Sequence, residues 1–282
     1  PVTALAGSSL SAGGTITNID LTLFTDTAVA TPLYLNRDSV TFEGTCTVAG
    51  ALTNNDGAVA LINSGSLDVS GTFINNGVLA TSMPSPHLTV GASLVQSATA
   101  GFIMPFSASV VRVGGNFDAA INSNAAFALS LATLRLDGSG AEQTMEAMSK
   151  DIGPSALGLD RVFPGHFPIG TLEIATGATV RLVDARDNDT LGQAACEAIY
   201  VNELRINPGA RLINTAWSGH RLTLGLEYKA NSRQDQLNYD RGYGCYGYSA
   251  TPCLDNRHQS KQFTLMAQDE IQIGTSSLLT IG

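Results

Sequence analysis

One short phrase recurs along the chain: an apolar residue, any residue, a second apolar residue, and a glycine a few positions on. It stands at Val40/Phe42/Gly44, Leu67/Val69/Gly71, Leu88/Val90/Gly91, Val111/Val113/Gly114 and Leu134/Leu136/Gly138. It returns at Leu172/Ile174/Gly177, Leu204/Ile206/Gly209, Leu222/Leu224/Gly225 and Ile271/Ile273/Gly274. Successive starts differ by 27, 21, 23, 23, 38, 32, 18 and 49 residues. Alternation with period two is the pattern of a strand buried on one face, and the glycine ends it in a tight turn. The copies at Leu172 and Leu204 match furthest, with Ala178 answering to Ala210 after the two glycines.

Repeats of twenty-odd residues built from short strands and turns predict a coiled β-structure. Each coil buries its inward side chains against the coils on either side, so the core is one continuous column. The expected fold is therefore all-β, a β-solenoid (parallel β-helix) forming a single elongated domain over residues 1–282. A β-sandwich, with turns every 8–12 residues, is the alternative. The turns at Asn54–Gly57 and Asn75–Gly77 suit solenoid corners, where residues tolerant of left-handed backbone are needed.

The longer gaps read as insertions that leave the column and return. The first covers residues 141–170, with Ala141–Lys150 expected as a short helix from its helix-forming composition. The second is an acidic loop over residues 184–198. The third, residues 228–262, is polar and tyrosine-rich.

Composition narrows the function. Charged residues are 14% of the chain, too few to cover helices, and hydrophobic residues reach 44%, too many for a disordered chain. A net charge of −9 and lysines only at Lys150, Lys229 and Lys261 argue against nucleic acid and against a basic membrane-binding patch. No apolar run is long enough for a membrane-spanning helix. Four cysteines, Cys46, Cys196, Cys245 and Cys253, form an even set without the CxxC pairs of a zinc site, so two disulfides in an oxidising compartment are expected. A Cys245–Cys253 bridge would staple the third insertion, and Cys196 could tie to Cys46 in the same or a neighbouring chain.

Asp184, Asp187, Asn188 and Asp189, with Glu197 close behind, gather hard oxygen ligands of the kind calcium accepts in loose geometry. The competing reading is a solvated turn with Arg186 pairing one carboxylate. Tyr239, Tyr243, Tyr246 and Tyr248 could stack a sugar or contact another subunit. His87, His166, His220 and His258 are scattered, Asp118, Asp137 and Asp160 are isolated, and no GxSxG or HExxH motif occurs. No enzymatic activity is expected.

The phrases and their Asn/Gly turns from Val40 to Leu224 resemble the β-helical regions of bacterial autotransporter passenger and filamentous-haemagglutinin-like surface proteins. Residues 180–228 are similar to a segment of uncharacterised, secreted, repeat-containing bacterial proteins. That resemblance is carried by Asp184–Asp189, by Glu197-Ala198-Ile199-Tyr200-Val201 and by Gly209-Ala210-Arg211-Leu212. It implies an extracellular or cell-surface location.

Chain starts at Pro1 and finishes in Leu278, Leu279 and Ile281, which reads as a trimmed product whose terminal coils lack caps. Uncapped coils recruit further strands. The expected function is a secreted structural protein that self-assembles, by head-to-tail stacking or strand exchange, into a filament, sheath or surface layer, with itself as partner. The alternatives are an adhesin or carbohydrate-binding module, contacting cell-surface or matrix polysaccharide, and a polysaccharide-cleaving enzyme.

Overall fold

The computed structural model describes residues 3–4, 6–153, 155–191 and 197–214 in full, with the backbone alone of Val2, His220–Asn238, Leu254–Ile273 and Ser277–Ile281. Backbone contacts divide the chain into a unit Pro1–Arg221 and a unit Leu222–Gly282. The first unit is a succession of short strands wound into a parallel β-solenoid, as the repeat predicts, and not a sandwich.

Three faces make up the column. Face A holds Val2–Ala4, Thr22–Thr25, Ser39–Glu43, Val59–Ile62, Val78–Thr81, Gly101–Ile103 and the start of Phe127–Leu136. Face B holds Ser9–Ser11, Ala28–Ala30, Thr45–Val48, Ser66–Val69, His87–Val90, Val110–Val113, the end of Phe127–Leu136, Ile169–Ile174 and Val201–Ile206. Face C runs from Thr15–Asn18 through Leu33–Asn36, Ala51–Asn54, Phe73–Asn75, Leu94–Gln96, Phe117–Ala119, Glu142–Glu146 and Thr179–Val183 to Arg211–Asn214. The pairing between coils is parallel on all three faces.

The sequence phrase is the face B strand. Leu67, Leu88, Val111, Leu134, Leu172 and Leu204 lie in one register line, so the 32-residue match between Leu172 and Leu204 is a single coil. Val40 belongs instead to face A, paired with Thr22 and Ala60, which is why the first spacing of 27 was out of step. Inside, Leu67, Leu88, Val111 and Leu134 are fully buried, each contributing about 1.5–3 kcal/mol of hydrophobic stabilisation. Aromatic rings fill the centre: Phe24 stacks on Phe42 at 5.7 Å, and Phe127 meets Phe102 and Phe167 edge-on.

A second column is polar. Asn18, Asn36, Asn54, Asn75 and Gln96 occupy the last inward position of face C on successive coils, all buried. Each asparagine Nδ2 donates to the next amide oxygen at 2.7–2.8 Å. The same NH2 groups satisfy corner carbonyls that turn away from the sheets, such as Val59 O for Asn36 and Gly101 O for Asn75. This amide ladder solves the corner problem, because a buried carbonyl left unpaired is costly.

Close coil packing also dictates glycine at a few corners. Gly65 has φ +82°, and a Cβ there would lie 2.1 Å from Gly44 O on the neighbouring coil.

The expected helix at Ala141–Lys150 is not formed. Glu142–Glu146 is a face C strand, with Met145 in register with Phe117 on one side and Leu182 on the other. Gln143 and Met145 are buried while Glu142 is exposed. Helix propensity is worth only a few tenths of a kcal/mol per residue, and burial of the Met145 side chain in the column outweighs it. The first insertion therefore begins after Glu146 and contains a short 3-10 turn at Ala156–Leu159. In the second unit, Leu254–Ile273 pairs antiparallel with Ser277–Ile281. His220–Asn238 and Leu254–Ile273 are extended strands that run into the expected third insertion from both sides.

Candidate metal centre

Two insertions meet beside face C. Ser149–Lys150 of the first pairs antiparallel with Glu197–Ala198 of the second, with Lys150 opposite Glu197. Tyr200 strengthens the junction. Its hydroxyl accepts from Ile152 N at 3.0 Å and donates to Gly153 O at 2.9 Å, and its ring lies where a Cβ on Gly158 would stand. His166, buried, stacks on the same ring at 5.9 Å. The Glu-Ala-Ile-Tyr-Val stretch singled out in the sequence is thus the return strand of the acidic insertion, clamped to the other insertion.

The pairing brings Glu197 next to the acidic loop and to Glu146 at the end of its face C strand. Oxygens of Glu146, Asp184 and Glu197 lie within 4.8 Å of one another, as do oxygens of Asp187, Asp189 and Glu197. Sequence reasoning assembled Asp184, Asp187, Asn188, Asp189 and Glu197, and the structure brings all five together. It missed Glu146, whose part in the site depends on a coil 37 residues away, from Glu146 to Val183, that local spacing does not display.

Backbone donors shape the loop around these acids. Glu146 Oε1 accepts from Ala185 N at 2.6 Å and Arg186 N at 2.8 Å. Glu197 Oε1 accepts from Asn188 N at 2.5 Å and Asp189 N at 2.7 Å, while Glu197 N donates to Asp184 Oδ2 at 3.0 Å. Asn188 Nδ2 reaches Ala119 O at 2.9 Å and Ile121 O at 2.7 Å. Ala119 is the face C position next in line after Gln96. The ladder's own amides stop there, and the insertion supplies one from outside.

Arg186 does pair a carboxylate, but not one of its own loop. It makes a two-pronged contact with Asp118 on the outer side of face C, at 3.1 and 2.8 Å. Burial pushes the Glu146 carboxyl up to about 7 and Glu197 up to about 8, with Asp184 a further repulsive neighbour of both. The two backbone donors on each work in the opposite direction without overcoming burial. Crowded, buried carboxylates of this kind are relieved either by binding protons or by binding a cation.

Three buried oxygens of this cluster have no hydrogen-bond partner among the described residues: Asn188 Oδ1, Asp189 Oδ2 and Glu197 Oε2. Oxygen-only donors with no histidine or cysteine fit a hard cation, and calcium fits best because it accepts irregular carboxylate cages.

Elsewhere the candidates stay apart. Asp137 pairs with Arg112, and Asp160 Oδ1 accepts from Val162 N. Cys46 carries a free, buried thiol in the face B column, donating to Glu43 O and Phe24 O. Cys196, Cys245 and Cys253, and Tyr239, Tyr243, Tyr246 and Tyr248, lie outside the described residues. No helix among the described residues is long and apolar enough to cross a membrane. No family model, no curated protein and no solved structure matches the chain.

Proposed function

We propose that the chain is a secreted or cell-surface structural protein whose solenoid associates with copies of itself into a filament, sheath or layer. The observation that supports this is the outer surface of face A. Its outward rows are Leu23, Thr41, Leu61, Ala80 and Ile103, and beside them Ser39, Val59, Val78 and Gly101. No charged side chain stands in these two rows; the third outward row carries Glu43, which accepts from Asn63 Nδ2 at 2.8 Å. Leu21 is 53% exposed and Val59 37% exposed at its margin. Face B differs: its outward row carries Asp68, Arg112, Arg135, Glu173 and Arg205, with Arg135 paired to Glu173 at 3.0 Å.

A charged face keeps copies apart in solution, whereas a sparsely charged, partly apolar face loses little on desolvation and gains on contact. A rigid column presents that face with a fixed repeat, which favours an ordered array over a loose aggregate. The test is sedimentation and negative-stain microscopy of the purified chain beside a Leu21→Lys/Val59→Lys double variant. Assemblies in the parent that disappear in the variant, with an unchanged circular-dichroism spectrum, support the reading. A parent that stays as monodisperse short particles at concentrations where neighbours could associate overturns it.

A further inference from the structure

We infer that Asp187, Asp189 and Glu197 hold a calcium ion that ties the acidic insertion shut against the column. Three features of the site carry this. One oxygen from each residue lies within 4.8 Å of the others, which is the separation that ligands on opposite sides of one calcium reach at metal–oxygen distances of about 2.3–2.6 Å. Asp189 and Glu197 are 6% and 3% exposed, and each keeps one carboxylate oxygen without a hydrogen-bond partner among the described residues. Each also has its other oxygen occupied: Asp189 Oδ1 accepts from Leu191 N, and Glu197 Oε1 accepts from the backbone of Asn188 and Asp189. The backbone thus fixes both carboxylates and leaves one oxygen of each for a ligand.

The neighbouring triad of Glu146, Asp184 and Glu197 is less suited to the ion. Glu146 Oε1 and Asp184 Oδ2 already accept backbone N–H groups. The ion belongs on the side with orphaned oxygens, and Glu197 is the wall between the two. Bound there, calcium joins residues 187–189 to the strand at Glu197–Ala198, which in turn pairs with Ser149–Lys150. One ion would then hold both insertions to each other. This inference is independent of self-assembly, since a cation staple serves a monomer equally well.

The experiment is calorimetric titration of the chelator-treated full chain with calcium chloride and, separately, magnesium chloride. Trypsin digestion, mapped at Arg186, accompanies it. The expected result is one calcium per chain, magnesium weaker, and cleavage after Arg186 slowed by calcium. Asp189→Asn and Asp187→Asn should each weaken calcium binding about tenfold or more, while Asp68→Asn, on face B, leaves it unchanged. Asp187 is exposed, so its variant tests the site even if the buried variants fold poorly. No binding heat and no protection at Arg186 overturns the inference. So does a Glu197→Gln chain that binds calcium as tightly as the parent, because Glu197 would then be no ligand.

Discussion

Asn36 Nδ2 donates to Asn54 Oδ1 across 2.7 Å, and both side chains are fully buried. Asn54 is also the donor to Asn75 Oδ1 and to the carbonyls of Ala58 and Val78. Its amide therefore belongs to three coils at once. Asn54→Ala takes the partner from a donor on Asn36 and from an acceptor on Asn75 and removes the side-chain donor to Val78 O, while Ala58 O keeps its bond from Val78 N. Each such loss costs about 1–3 kcal/mol, partly relieved by relaxation. The expected destabilisation is about 3–5 kcal/mol by urea unfolding. Thr53→Ala, one position along and facing outward, should cost under about 1 kcal/mol. Equal losses at the two positions would show that the ladder does not hold the coils together.

Gly57 and Gly65 separate two reasons for glycine. Both have left-handed backbone, with φ of +76° and +82°. A Cβ at Gly57 meets nothing within 4 Å, whereas one at Gly65 would lie 2.1 Å from Gly44 O. Gly57→Ala should cost about 1 kcal/mol from strained backbone alone. Gly65→Ala must also push two coils apart, and is expected to cost about 3 kcal/mol or more. Thermal melting of the two variants side by side reads the difference.

Cys46 takes an inward position in line with Leu67, and burial pushes its thiol above the ordinary cysteine range. The native protein is expected to protect Cys46 from iodoacetamide at pH 8, where an exposed thiol reacts, and to release it on unfolding in urea. The linkage has a definite sign. A thiol harder to ionise when folded contributes stability below its ordinary range, and that contribution is lost as pH rises toward the folded value. Mass-spectrometric mapping of alkylated peptides decides it; rapid native labelling of Cys46 would contradict its place in the core.

Much of the fold was legible because a coil repeats. Leu67, Leu88, Val111, Leu134 and Leu172 share one buried environment, and Leu204 continues their register line, so the same residue class recurs at the coil length. The amide ladder was equally visible in principle, as Asn18, Asn36, Asn54 and Asn75 recur every 18–21 residues. Yet asparagine close to glycine, as at Asn54 and Asn75, reads first as a turn residue, and nothing local marks Asn54 as pointing inward. Ala141–Lys150 misled for a related reason: propensity is local, whereas the burial of Met145 is set by Phe117 and Leu182 on other coils. The acidic loop announced itself by composition. Glu146 could not, since its neighbours there come from the next coil.

Glu146 gives the metal-free site a pH signature. Its carboxyl is raised to about 7 by burial, with Asp118 and Asp184 adding repulsion. A carboxyl raised in the folded state holds its proton more tightly there than in the unfolded chain. Its stabilising contribution is complete below the ordinary carboxylate range and disappears as pH rises through about 7. In chelator, the parent protein should therefore lose stability between pH 5 and pH 8. Glu146→Gln removes the charge that forms over this range and keeps a carbonyl oxygen to accept from Ala185 N and Arg186 N. The variant is expected to match the parent near pH 5 and to exceed it at pH 8 by about 1–3 kcal/mol. Urea midpoints across the range measure this. A glutamine variant weaker than the parent at pH 8 would mean that Glu146 works as an anion, and that some cation other than a proton compensates it there.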